Sequence, residues 1–116
     1  MRKLDDAELR AVLAMAVALG PAGEQVAKDL ADGQVEPEDP YGSHLIFHIP
    51  GYERPPYKGQ RDLPVEGRMQ DVDGVEIRVV LWEDQNRRVY ELELLKLAEG
   101  EPIAPDWRTF EVLPRS

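Results

Sequence analysis

Two histidines, His44 and His48, are the only imidazoles in the chain. On a helix, a spacing of four would let them share one metal ion, as in the H-E-x-x-H arrangement. Here they alternate with Leu45, Phe47 and Ile49, which places them on a strand. Residues two apart on one strand face are separated by about 6.6–6.8 Å, so these two lie roughly twice that distance apart. One ion with ligand bonds near ~2 Å cannot span that gap. Both histidines are therefore read as solvent-side strand residues, and no metal is expected. Glu91 and Glu93 share a face of another alternating stretch and have the form of an acid–base pair. Nothing in the sequence gives them a cleft or a reason for a raised pKa, so they read as a solvated sheet face. On that reading Glu91→Lys leaves stability nearly unchanged. Ser43, Thr109 and Ser116 are the only serine or threonine hydroxyls, and none sits in a G-x-S-x-G elbow. No phosphate-cradling glycine loop is present. There is no cysteine, which excludes disulfides, thiolate metal sites and a cysteine nucleophile. The expectation is a non-catalytic protein with no catalytic residue, no metal and no cofactor.

The stretch from Pro50 to Pro64 offers the one alternative. It holds four prolines and two glycines, which argue against a regular helix or a central strand. Loops of this length are usually functional or disordered. Tyr52, Arg54, Tyr57, Lys58 and Arg61 gather here in a chain that is otherwise acidic. They form a candidate loop site for an anionic substrate, the basis of an enzyme reading. Arg54-Pro55-Pro56-Tyr57 lacks a full P-x-x-P core and is a weak polyproline ligand.

The elements that must position these groups centre on Asp71–Lys96. Val75, Ile77, Val79 and Leu81 alternate with Glu76, Arg78, Val80 and Trp82. Tyr90, Leu92 and Leu94 alternate with Val89, Glu91, Glu93 and Leu95. A period of two puts one set on a core face. A turn with Gly74 in the left-handed position pairs Met69 with Ile77 and Gly67 with Val79. In the second hairpin, facing Leu81 with Tyr90 pairs Val79 with Leu92. Upstream, Asp5 or Asp6 caps a helix with an apolar stripe of Leu9, Val12, Leu13, Ala16 and Leu19. Gly20 and Pro21 end it. A second helix covers residues 22–31. Residues 34–43 read as an extended connector, Leu45–Ile49 as a strand, and residues 97–116 as an apolar tail with a short strand at Thr109–Val112. The core is expected to include Leu9, Val12, Leu13, Leu45, Phe47, Ile77, Val79, Leu81, Tyr90, Leu92 and Leu94.

The chain of 116 residues suits one domain spanning 1–116. Its formal charge of -9, from 14 basic and 23 acidic residues, argues against nucleic acid or anionic lipid as the main partner. It fits solubility alone, or a basic protein partner. The absence of a secretory signal and of an apolar run near ~18 residues leads to the expectation of a cytoplasmic protein that does not cross a membrane. Candidate partner contacts are Glu66, Glu91 and Glu93 on the outer sheet face, and Glu36, Glu38 and Asp39 in the connector. Trp82 falls on the same outer face. It either anchors a partner or is covered by the tail or a helix.

Several segments together resemble a family of small bacterial domains grouped as a domain of unknown function. They are Arg2-Lys3-Leu4, Gly42-Ser43-His44-Leu45-Ile46-Phe47, Asp73-Gly74-Val75-Glu76-Ile77 and Tyr90-Glu91-Leu92-Glu93-Leu94-Leu95-Lys96. These motifs are turns, a strand entry and a hairpin. Where such domains often have Asp-Gly at the second hairpin, this chain has Gln85-Asn86. The resemblance implies an α+β fold and carries over no catalytic residue. As a class, small acidic α+β proteins are also similar to the immunity proteins that neutralise bacterial toxins. The expected fold is α+β: two N-terminal helices on one face of a four-stranded, mainly antiparallel sheet, with an apolar C-terminal tail. The expected function is a non-catalytic protein-binding module, most concretely an immunity or antitoxin protein covering a basic toxin domain. An adaptor or scaffold, or a small enzyme using loop 50–64, are the alternatives.

Overall fold

The computed structural model describes residues 1–56 and 58–113. Asp5 opens the first helix. Its carboxylate accepts the Glu8 N–H at 2.8 Å, and the Glu8 carboxylate accepts the Asp5 N–H at 2.9 Å. This reciprocal cap satisfies amides that the helix itself cannot. Helix α1 then spans Asp6–Ala18. Gly20, at φ 66°, turns the chain in the left-handed region where a side chain would be strained. A 3-10 turn over Gly20–Gly23 leads into α2, Glu24–Asp32. Val12, Met15, Ala16, Val26 and Leu30 carry the helices into the core. Leu9 and Leu13, expected in the core, are only partly buried at its margin.

Six strands follow: β1 Gln34–Pro37, β2 His44–His48, β3 Arg61–Gln70, β4 Glu76–Glu83, β5 Val89–Lys96 and β6 Asp106–Val112. They form one antiparallel sheet in the order β1-β2-β5-β4-β3-β6, curled into a half-barrel. The helices fill its inner side against β3, β5 and β6. This corrects the four-stranded expectation. The extra strands come from the segments read as connector and tail. β1 tolerates Pro37 because it is an edge strand, where a missing N–H costs no ladder bond. β6 docks because Gly67 leaves room for an aromatic ring: a Cβ there would lie 2.3 Å from Phe110 Cε2. The apolar tail is thereby an edge strand paired with β3, and longer than the short strand expected there. β3 begins at Arg61, within the stretch 50–64 whose prolines argued against a central strand. It takes in Pro64 where its pairing with β4 is interrupted, between Asp62 and Glu66.

The two long connections follow from the strand order. β2 and β3 are separated by β5 and β4, so residues 49–60 must cross two strands at one end of the sheet. Residues 97–105 make the equivalent crossing from β5 to β6 at the other end. Asp71 holds that second crossing. Its carboxylate accepts the N–H groups of Ile103 and Ala104, each at 2.8 Å, and pairs with Lys96 at 2.9 Å. Burial pushes Asp71 up, but the backbone amides and Lys96 outweigh it and hold the carboxyl far below its ordinary range.

The first hairpin has the expected register, with Met69 facing Ile77 and Gly67 facing Val79. The second is shifted by two residues: Leu81 faces Leu92 and Val79 faces Leu94. A shift of two keeps every side chain on its face. The turn differs because Arg87, at φ 61°, adopts the left-handed conformation. The Asp84 carboxylate accepts the Asn86 and Arg88 N–H groups there. A break in pairing after Trp82 leaves Tyr90 unopposed. Val89, fully buried, therefore takes the core position expected for Tyr90. Tyr90 turns to the opposite face, half-buried under Arg54.

Candidate functional site

Burying a carboxylate is costly unless a cation and hydrogen bonds compensate it. Among the described residues, six are buried: Glu8, Asp29, Asp71, Glu83, Asp84 and Glu91. Five have a permanent cation. Arg2 meets Glu8 at 2.6 Å, Arg88 meets Asp29 at 2.7 Å, and Lys96 meets Asp71 at 2.9 Å. Arg61 meets Glu83 and Arg54 meets Asp84, both at 2.9 Å. Glu91 is the exception. Its neighbours are His44 Nδ1 at 2.7 Å and the Gln60 amide nitrogen at 3.5 Å.

The exception arises from the register of β2 on β5. His44 faces Glu93, and Ile46 faces Glu91. On the other side of β5, Val80 faces Glu93 and Trp82 faces Glu91. His44, Glu91 and Glu93 thus share the outer face, with His44 Nδ1 3.7 Å from Glu93 Oε2. Trp82 Nε1 donates to Glu93 at 3.1 Å. One imidazole nitrogen and one oxygen from each carboxylate lie within 4.8 Å of one another. The hydrogen bond to Glu91 raises the His44 pKa, reinforced by the surrounding carboxylates and opposed by burial. Burial raises Glu91 in turn, more than His44 lowers it. His44 and Glu91 each hold a proton to higher pH than they would in water.

Around this trio the surface remains acidic. Glu36, Glu38, Asp39, Glu93 and Glu101 have no lysine or arginine ion pair among the described residues. Glu36 meets the exposed His48 at 3.0 Å. Asp39 organises the β1–β2 turn by accepting the Tyr41 and Ser43 N–H groups and the Ser43 hydroxyl, the last at 2.5 Å. By contrast Glu66 is paired with Arg78 at 3.4 Å.

Of the cations in residues 50–64, Arg54 and Arg61 are committed to carboxylates. Arg54 Nη1 donates to Asp84, Arg54 Nη2 donates to the Phe47 carbonyl at 2.7 Å, and the Tyr52 hydroxyl donates to Asp84 at 2.6 Å. Burial and the Asp84 carboxylate both raise the Tyr52 hydroxyl. Arg88 lies over the Tyr52 ring at 4.3 Å and clamps Asp29. Arg54, Gln60, Asp84 and Tyr90 border a small cavity of about 140 Å³. Lys58 is exposed, and Tyr57 lies outside the described residues.

The structure therefore brings Glu91, Glu93 and Trp82 together, and joins to them His44 and Gln60, which were not singled out for this site. It separates them from Glu36, Glu38 and Asp39 only by the width of β2 and its turn. Two readings are corrected. Glu91 is not on a solvated face but 6% exposed, so Glu91→Lys is no longer a neutral change. His44 and His48 share a strand face as expected, yet His44 has carboxylate neighbours on β5 that no linear spacing reveals. The alternation already placed His44 outward. What was missing was the identity of the strand beside it.

Among the described residues no helix is long and apolar enough to cross a membrane. The model of a family described as a domain of unknown function, DUF6984, matches residues 1–103. No curated protein and no solved structure matches the chain.

Proposed function

We propose, for a chain that belongs to the DUF6984 family of domains of unknown function, a role as a non-catalytic protein-binding module whose partner is a basic protein. The most concrete form is an immunity protein that covers a toxin domain in the bacterial cytoplasm. The observation that carries this reading is how the charges are distributed. Among the described residues, eight arginines and lysines are drawn into ion pairs: Arg2, Arg54, Arg61, Arg68, Arg78, Arg88, Lys96 and Arg108. The acids around the β1–β2 turn are left without such partners, at the edge of the sheet where a second protein has access. Complementary charge steers encounter and selects against acidic competitors. Trp82, half-buried on the same face, supplies an aromatic body of the kind that anchors interfaces. The commitment of Arg54 and Arg61 to internal carboxylates weighs against an anionic substrate in loop 50–64.

The test is binding kinetics against a basic domain that co-purifies with the chain from its native host. Association should slow as salt rises. Glu36→Lys with Glu38→Lys should lower the on-rate and flatten its salt dependence, whereas Trp82→Ala should shorten the lifetime of the complex. Salt-independent association, or a partner that is itself acidic, would reject the reading.

A further inference from the structure

We propose that His44, Glu91 and Glu93 form a binding site for a divalent transition-metal ion, zinc above all. The inference is independent of the protein-binding role. Two carboxylates share one patch of sheet, one of them buried, and the other five buried carboxylates all have arginine or lysine. A proton on His44 supplies one positive charge for two negative ones. A divalent ion balances both.

The donor chemistry agrees. Imidazole nitrogen with carboxylate oxygens is a ligand set that zinc and manganese accept. Ligand atoms around a tetrahedral ion with bonds near ~2 Å lie about 3.3 Å apart. The present separations from His44 Nδ1, 2.7 Å to Glu91 and 3.7 Å to Glu93, bracket that value. The two carboxylate oxygens lie within 4.8 Å of each other, so side-chain rotation would have to draw them together around the ion. Supporting contacts are already built. Trp82 Nε1 orients Glu93, and the Gln60 amide nitrogen reaches Glu91; such outer contacts hold ligating carboxylates in place. Gln60 Oε1 is buried beside the cluster with no donor among the described residues. It is an acceptor that a bound water would satisfy. The His44 side chain is 38% exposed, which leaves the trio an approach from solvent.

The experiment uses the full chain without an affinity tag, stripped with chelator and titrated with zinc chloride at about pH 7.5 by calorimetry, with bound metal counted after desalting. One equivalent should bind, releasing a proton, and binding should weaken at about pH 5.5 as protons compete. Glu93→Gln and His44→Gln, neither at a fully buried position, should each weaken binding by about tenfold or more. His48→Gln, at the exposed pair with Glu36, should leave it unchanged. The inference is overturned if the wild-type chain takes up no stoichiometric zinc. It is equally overturned if uptake survives in both Glu93→Gln and His44→Gln, or is lost in His48→Gln. Circular dichroism of each variant separates lost binding from lost fold.

Discussion

Replacing a buried carboxylate with its amide should act with opposite sign at two positions of this protein. Asp29 is 2% exposed and receives a two-pronged contact from Arg88, at 2.7 and 2.8 Å. Asp29→Asn removes the charge from that pair and leaves Arg88 facing a neutral group. Hydrogen bonds to charged groups contribute about 1.5–3 kcal/mol each, and breaking a buried pair costs about 3–5 kcal/mol. A loss of about 3 kcal/mol is expected for Asp29→Asn. Glu91 is almost as buried but lacks a permanent cation. Glu91→Gln gives up one histidine contact to a charged group, about 1.5–3 kcal/mol, and removes a buried charge whose effective penalty is several kcal/mol. The balance lies on the stabilising side. It also depends on pH in a defined direction. Folded Glu91 and His44 both have raised pKa values. Stability from each is therefore fully present below its unfolded value, near 4.5 and 6.5 respectively. It is lost as pH rises through the higher folded value. The advantage of Glu91→Gln should accordingly be larger at about pH 8 than at about pH 5. Urea melts of both variants and the parent, in chelator, measure this directly. If Glu91→Gln costs as much as Asp29→Asn at the higher pH, Glu91 is a satisfied ion and the argument from missing charge fails.

Three further outcomes are expected. Gly67→Ala should destabilise the chain by about 1–3 kcal/mol through overpacking against Phe110. That cost should largely vanish in a Phe110→Ala background; an unchanged cost there would mean that the clash lies elsewhere. Ile77→Asp and Leu92→Asp, both at fully buried positions, should each abolish the cooperative thermal transition, because each buries an unpaired charge. Native-like melting of either variant would contradict the assignment of the core face. On the acid side, Asp71 and Asp84 have lowered folded pKa values. The stability they contribute is present above about 3.8, their ordinary value, and is lost as pH falls through their lower folded values. Asp71→Asn should shallow the acid limb of a stability–pH profile, and an unaltered limb would show that Asp71 does not set it.

The faces of the central strands were legible in the sequence because side-chain direction alternates with period two, whatever the neighbours do. Ile77, Val79, Leu81, Leu92 and Leu94 are core residues on that ground alone. The cap at Asp5 and the break at Gly20 were equally local, set by one side chain and one left-handed backbone position. The register of the second hairpin was not, because Arg87 rather than Gln85-Asn86 takes the left-handed position, and one unopposed residue exchanged Tyr90 for Val89 in the core. Strand count escaped for a similar reason. β1 holds a proline and β6 follows one, so each becomes a strand only through the neighbour it pairs with. The same holds for the site. Composition supplied the acidic surface and alternation placed His44 outward. Only the sheet order set β2 beside β5, where His44 meets Glu91 and Glu93. Pairing between strands dozens of residues apart leaves no local periodic signal, so the tertiary structure alone decided that a buried glutamate would have a histidine for its partner.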